Sequence, residues 1–288
     1  MKKDTKSQIV FLITMFIVIF SLLGSCTSKR SENEWSDYDL IGEVKSLKEF
    51  SYSVVERFGN IEKDNGNNSE VDVIFNRKGR IEEKSEYQSD GSLYKKSFYK
   101  YDEKGNLGEV NYYQSDDTLY GKSIFKYNKE GNLIEECCFN SDGRIEYKLT
   151  YDYDDSGNQV KENYYLSNDT LAKKSFYKYD NRGNKIESNY YNYDGSKGIT
   201  VSYRYNYKGD PVEEKFYNPN GLLHKKIAYR YDYDGSKVEK VQFQFDGTID
   251  YKYTYKYEFD DKGNWIKQTE FEDGIPKELV EREIKYFK

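Results

Sequence analysis

Tyr99-Lys100-Tyr101-Asp102-Glu103-Lys104-Gly105-Asn106 returns three repeats later as Tyr177-Lys178-Tyr179-Asp180-Asn181-Arg182-Gly183-Asn184, and the spacing of this phrase decides the fold. Its glycine belongs to a series, Gly79, Gly105, Gly131, Gly157, Gly183, Gly209 and Gly235, set 26 residues apart, with Gly263 following at 28. A second series, Gly91, Asp117, Gly143, Asp169, Gly195, Gly221 and Gly247, keeps the same period between the first, and Gly274 follows at 27. Each repeat therefore has two turns. Gly-Asn in one series and Asp-Gly or Asn-Gly in the other supply the positive-φ positions that tight hairpins require. Between turns lie 11 or 13 residues rich in Tyr, Phe, Val, Ile and Thr, enough for a strand of about eight and too few for a helix with its own loops. Only three prolines interrupt the chain, as paired strands demand.

Aligned on the period, the strand after each second-series turn carries two aromatic columns. One is Tyr99, Phe125, Tyr151, Tyr177, Tyr203, Tyr229 and Tyr255; the other is Tyr101, Tyr127, Tyr153, Tyr179, Tyr205, Tyr231 and Tyr257. Being two residues apart, they share a face. The opposite face is basic, with Lys96, Lys122, Lys148, Lys174, Lys226 and Lys252, and four residues on Lys100, Lys126, Lys178, Arg204, Arg230 and Lys256. The partner strand offers Glu83, Glu109, Glu135, Glu187, Glu213 and Glu239, so Glu–Lys cross-strand pairs are expected, and a third aromatic column from Tyr87 and Tyr113 to Phe243 and Phe271.

The predicted fold class is all-β: tandem antiparallel hairpins in one long, twisted and curled sheet. Each aromatic buries roughly 150–250 Å², and a sheet bearing two such columns cannot leave them all wet. Sixteen or so strands twisted about 20° each accumulate close to a full turn, so the sheet should curl into a trough, a spiral or a closed tube, with the tyrosines inward. A membrane barrel is disfavoured, because its lipid-facing band must be apolar for about 25 Å and here one face is Lys and Glu and the other Tyr. Upstream, Glu43 to Glu56 reads as a long strand and Val71 to Phe75 as its partner, joined by a loop from Gly59 to Asn68; downstream, Val280 to Phe287 reads as a closing edge strand.

The N-terminus gives the compartment. Lys2, Lys3 and Lys6 precede an apolar run from Ile9 to Leu23, the order of a secretory signal and short of the ~30 Å a membrane span must cover. Leu23-Gly24-Ser25-Cys26 closes the run and resembles the lipobox of bacterial lipoproteins, which implies that Cys26 is lipid-modified and becomes the new N-terminus. The domain reading is a signal peptide at 1–25, a polar tether at 26–40 and a β-repeat domain at 41–288. Residues 1–25 carry a net +2, so their removal takes the chain from −6 to −8, a poor charge for nucleic-acid binding.

The repeated phrase also resembles the YD repeats of Rhs and teneurin-like proteins, over residues from about 71 to 287. The period here is longer than the usual YD unit, Asn stands where Arg often follows the Gly, and no toxin segment is present. The resemblance implies a β-sheet scaffold associated with cell-surface contact or carbohydrate binding.

Catalytic chemistry finds no footing. His224 is the only histidine, and the repeated glutamates are equivalent to one another, whereas an active site needs one asymmetric constellation. Cys137 and Cys138 are adjacent, so on a strand they point to opposite faces and read as structural thiols. Asp152-Tyr-Asp154-Asp-Ser156-Gly157 imitates the start of a calcium loop, but its twelfth position is Asn163 rather than Glu. Asp117-Thr118-Leu119 and Asp169-Thr170-Leu171 match a bacterial O-glycosylation sequon and equally suit turns. The expectation is a lipid-anchored, non-catalytic module of the cell envelope, at the outer membrane, without cofactor or metal. Its ligand would be a glycan or an envelope protein, with its binding residues unassigned. An immunity-type lipoprotein with a dedicated partner and a divergent glycan-active enzyme are the rival readings. Replacing Cys26 by Ser should abolish lipid labelling and membrane partitioning; an unchanged membrane fraction would refute the lipobox.

Overall fold

The computed structural model describes residues 33–64 and 68–288. A 3₁₀ turn, Trp35–Tyr38, precedes β1 (Val44–Arg57), β2 (Asn60–Lys63), β3 (Ser69–Phe75), β4 (Ile81–Tyr87), β5 (Leu93–Tyr101) and β6 (Leu107–Gln114). There follow β7 (Leu119–Tyr127), β8 (Leu133–Asn140), β9 (Ile145–Tyr153), β10 (Gln159–Leu166), β11 (Leu171–Tyr179), β12 (Lys185–Asn192) and β13 (Lys197–Tyr205). The chain ends with β14 (Pro211–Tyr217), β15 (Leu223–Tyr231), β16 (Lys237–Gln244), β17 (Ile249–Phe259), β18 (Trp265–Glu272) and β19 (Ile275–Tyr286).

From β3 onward each strand pairs antiparallel with the next, and the two ends meet on β1. That strand takes β3 along one edge, from Ser46↔Ile74 to Ser51↔Ser69, and β19 along the other, from Val44↔Tyr286 to Ser53↔Glu278. Every strand except β2 thus belongs to one closed ring of 18, a barrel rather than a trough or spiral. The expected closing edge strand at Val280–Phe287 is corrected accordingly: β19 is bonded on both sides, because closure removes the unpaired N–H and C=O groups of an edge. The expected loop at Gly59–Asn68 is also corrected in part. Asn60–Lys63 pairs with Val54–Arg57, extending β1 as a two-stranded hairpin that leaves the ring.

The turn phrase has a local explanation. In Asp102–Asn106, Gly105 N–H donates to the Asp102 carbonyl (2.9 Å) and Asp102 N–H to the Asn106 carbonyl (2.8 Å), with Gly105 at φ +82°. This is a type I turn closed by a bulge, and its αL position is the one that glycine fills without strain. Where the second series lacks glycine, Asp117 and Asp169 hold the same conformation at φ 61° and 62°, as short polar side chains can.

The second tyrosine of the phrase is a latch. Tyr101, Tyr153, Tyr179, Tyr205, Tyr231 and Tyr257 each donate a hydroxyl hydrogen bond of 2.7–3.0 Å to the carbonyl 20 residues earlier. The acceptors, Ile81, Leu133, Gln159, Lys185, Pro211 and Lys237, open the preceding strands at the bulge, where the ladder is interrupted and the carbonyl would otherwise lack a partner.

Alternation sorts the faces. Along β5, Ser97 is buried while Tyr94, Phe98 and Lys100 are exposed, and the buried members of the other repeats, Val110, Ser123, Leu149, Tyr151, Ser175, Ser188, Val201 and Ile227, hold the same face. The two tyrosine columns therefore line the interior. The lysine and glutamate columns face outward with the third aromatic column, and the cross-strand pairs form: Lys100–Glu109 (2.7 Å), Lys178–Glu187 (2.7 Å) and Lys96–Glu83 (3.0 Å).

The densest apolar packing closes one mouth. Leu40, Val44, Leu47, Val73, Phe75 and Ile81 form a cluster with Trp35, Tyr38, Tyr99 and Ile284 against it. Asn264, fully buried, clasps the backbone of Ile41 from both sides (2.6 and 2.9 Å), and Arg282 donates to the Tyr38 carbonyl (3.0 Å) while stacked on Trp265. The stretch expected as tether up to residue 40 is thus, from Glu34 on, part of the barrel; its apolar Trp35, Tyr38 and Leu40 are what the mouth buries. Tyr179→Ala should cost about 3–5 kcal/mol by loss of a packed aromatic, and Tyr179→Phe, which removes only the latch, about 1 kcal/mol. Urea unfolding of both variants measures the split.

Candidate functional site

The first-series turns share one end of the barrel, and their second residue faces solvent. Six repeats place a polar residue there: Arg77, Glu103, Lys129, Asp155, Asn181 and Asp261. The two adjacent turns 206–209 and 232–235 place Tyr207, 82% exposed, and Tyr233, 91% exposed. The clamp inside the turn varies along the array. In three repeats the first residue is Asp and the Asn after the glycine donates back to it, at 3.0 Å in Asp102–Asn106 and 2.9 Å in Asp154–Asn158 and Asp180–Asn184, whereas the turns at 76 and 128 begin with Asn. At 206 the order is reversed: Asn206 donates to Asp210 (2.8 Å). At 232 the partner is Ser236, whose backbone N–H donates to Asp232 (2.8 Å).

These departures surround one cleft of about 270 Å³ between the two turns. Tyr207, Lys208 and Asp210 form one side, Arg230, Asp232 and Tyr233 the other, and Val212, Tyr229 and Tyr231 the remaining wall. Lys208 bridges the sides: its ammonium donates to the Tyr233 carbonyl (2.6 Å) and lies 5.4 Å from the Tyr233 ring centroid. Two open aromatic faces, two carboxylates, an ammonium and a guanidinium make a site that can stack on a ring and hydrogen-bond its hydroxyls, near the small end of the range for ligand pockets. Asp210, placed after the glycine instead of inside the turn, joins this wall as a consequence of the reversed clamp.

Behind the rim the inner wall carries carboxylates among tyrosines. Glu136 faces Phe125 and Leu149 on its neighbouring strands and receives the Tyr151 hydroxyl at 3.4 Å. Burial pushes it up to about 7, and nearby Glu162 pushes in the same direction. Burial likewise raises Glu162 and Glu214, each hydrogen-bonded by a tyrosine, Tyr177 and Tyr229.

The residues weighed from sequence are dispersed. Cys26 lies outside the described residues. His224 is exposed on β15 beside the second-series turn 218–221, at the end opposite the cleft. Cys137 and Cys138 point to opposite faces as free thiols, Cys138 inward near Glu146 (3.9 Å). The calcium-like stretch forms no loop: Asp152 lies in β9 and pairs with Lys161 (2.8 Å), and Asp154 caps its turn. Tyr207 and Tyr233 were not singled out. The signal available was the turn column itself, in which six polar residues give way to two tyrosines.

No family model matches the chain, and no curated protein matches it. Among solved structures it is similar to a porin-like protein from Bacteroides uniformis (9% identity, 84% of this chain and 96% of that one, TM-score 0.43) and to a porin-like protein from Bacteroides vulgatus (11%, 86% and 99%, 0.38). A Photorhabdus luminescens Tc holotoxin pore structure also matches (12%, TM-score 0.34), over 76% of this chain and 15% of that one. The barrel assignment rests on the strand pairings above.

A carboxyl whose folded-state value lies above its unfolded one releases its proton more readily on unfolding, so its contribution to stability falls as pH rises from about 4.5 to about 7. Glu136→Gln removes that loss. The variant should match the parent near pH 4 and exceed it at pH 8 by roughly 2–3 kcal/mol; equal pH profiles in urea unfolding would count against the burial of this charge.

Proposed function

We propose that the chain is a lipid-anchored, non-catalytic module of the cell envelope, of YD-repeat type, that captures a glycan in the cleft between Tyr207 and Tyr233. The observation that carries this reading is the pair of nearly fully exposed tyrosines on adjacent turns, at positions the other repeats fill with polar residues. A turn gains nothing in folding from a large exposed aromatic, whereas tyrosine supplies rigid amphipathic contact area at low entropic cost. The resemblance to YD repeats, with its association with carbohydrate binding, agrees with the cleft's mixture of rings and hydrogen-bonding groups. Lipidation at Cys26 supplies the anchor, since an outer wall of Lys–Glu pairs is not the apolar band of a membrane-spanning barrel. The mature charge of −8 argues against nucleic acid as partner.

Catalysis by Asp210 and Asp232 is the weaker reading, because both carboxylates are already engaged by their own turns. A dedicated protein partner is favoured by a different feature, the exposed apolar residues Tyr193, Leu222 and Phe245 on neighbouring second-series turns at the other end. A glycan array probed with the chain from residue 27, alongside its Tyr207→Ala/Tyr233→Ala variant, tests the proposal. Binding should fall at least tenfold in the variant, about 1.4 kcal/mol or more, while stability shifts by under ~0.5 kcal/mol, as for surface sites. Identical array patterns would overturn the glycan reading.

A further inference from the structure

The end of the barrel that carries the second-series turns is divided in two. Four consecutive turns place an exposed serine at the second position, Ser89, Ser115, Ser141 and Ser167. The next three place Tyr193 (74% exposed), Pro219 and Phe245 (69% exposed) there, and exposed Leu222 and Ile249 follow two of those turns. Exposed Ile275 then opens β19, beside β1. Neighbouring hairpins of a sheet stand roughly 10 Å apart, so these side chains make one continuous apolar arc, unlike the single exposed hydrophobics of an ordinary surface.

The β1–β2 hairpin ends that arc. Arg57 pairs with Asn60, so Phe58 and Gly59 are its two-residue loop, and both hold positive φ, 53° and 80°. Such a loop favours Asn, Asp or Gly at its first position. Among the described residues the other non-glycine positions at positive φ are Asp39, Asp117, Asp169 and Asp273. Phe58 alone is bulky, so its backbone is strained, and its side chain is fully exposed on a hairpin whose β2 is exposed throughout. Folding gains nothing from a phenylalanine in that place, and strain held at such a site points to function. The charge around the arc shows what it meets. All but one of the second-series turns hold Asp or Glu and none holds lysine or arginine, whereas the first-series turns mix both signs, as at Lys104, Arg182 and Lys262. Within the arc, Asp194 and Asp246 accept hydrogen bonds from Ser196 and Thr248 of their own turns, which hold both carboxyls below the usual range and so keep them ionised.

We infer that the arc from Tyr193 to Phe58 docks a cationic, amphipathic segment of a protein partner. The segment sets its apolar side on Tyr193, Leu222, Phe245 and Phe58 and its lysines and arginines beside Asp194, Asp246 and Asp273. This gives a chemistry to the protein-partner reading above and is independent of the glycan cleft, which lies at the other end. A second copy of this chain would bring carboxylates against carboxylates, and an anionic bilayer is repelled for the same reason. On the anchor reading the arc also faces away from the membrane, because the chain enters at the first-series end, where the Glu34 N–H donates to the Gly79 carbonyl (2.7 Å).

The probes are a synthetic amphipathic peptide of leucine and lysine, its leucine–glutamate counterpart, and vesicles of phosphatidylcholine and phosphatidylglycerol, each titrated against the chain from residue 27. The leucine–lysine peptide should bind at least tenfold more tightly than its counterpart. Two variants should each weaken it at least tenfold. Tyr193→Ser/Phe245→Ser gives these turns the side chain of the other four and leaves every carboxylate in place. Phe58→Asn suits the loop, so its urea midpoint should match or exceed that of the parent. Asp194→Asn/Asp246→Asn, which keeps the turn hydrogen bonds, should shrink the preference for lysine over glutamate. Tyr207→Ala/Tyr233→Ala should bind the peptide as the parent does, whatever becomes of its glycans, so the arc and the cleft stand or fall separately. Undiminished binding in the Ser and Phe58 variants would mean attraction by net charge alone and would overturn the docking arc. Equal binding of the two peptides, no binding up to ~1 mM, a vesicle association that the Ser variant loses, or a parent dimer that it dissociates would overturn it as well.

Discussion

Closure on β1 is the constraint from which the rest follows. A twisted row of antiparallel strands leaves two edges, each a line of unsatisfied backbone groups, and in this chain both edges bond to the same strand. Once the ring is shut, the two faces of every strand cease to be equivalent. Each alternate side chain must face either the interior or the surroundings, and a one-residue slip anywhere would exchange them. The strict period prevents that slip by giving every hairpin the same turns and the same bulges.

The repeated phrase meets these requirements with local chemistry. Its glycine sets the αL residue, its Asp and Asn cross-bond the turn, and its second tyrosine satisfies a carbonyl that the bulge would strand. Each device reaches only the neighbouring hairpin, as expected of a repeat protein whose energetics are nearest-neighbour sums. The turns at 206 and 232 keep the glycine and the tyrosine latch while altering the residues between them. The exposed second position of each turn varies most freely, and a binding residue can be placed there without cost to the ring.

A ring of 18 strands is wider than its inward side chains can fill, since barrels of 16–18 strands leave a channel. The chain fills one mouth with Trp35, Tyr38 and Leu40 and clasps that plug through Asn264 and Arg282. Elsewhere the interior is lined by tyrosines, whose hydroxyls bond carbonyls and carboxylates while their rings pack on one another and beneath lysines. Such a lining tolerates Glu136, Glu162 and Glu214 inside the barrel, provided each has a tyrosine partner, and it is amphipathic enough to receive a polar ligand.

Much of this was legible in the sequence because it follows from spacing. The period fixed the hairpins, the turn chemistry and the inward tyrosine columns, and the alternation of Lys and Glu with those columns foretold the outer ion pairs. Whether the sheet stays open or shuts is not a property of any repeat. It depends on whether β19 arrives within bonding distance of β1 after all the intervening twist, a sum that no local pattern states. The same holds for Trp35–Leu40: next to polar Thr27–Arg30 they read as tether, and only the barrel provides the mouth that buries them. Tyr207 and Tyr233 were visible as breaks in a column on consecutive repeats, but that Val212, Tyr229 and Arg230 complete a cleft between them is decided by the folded sheet.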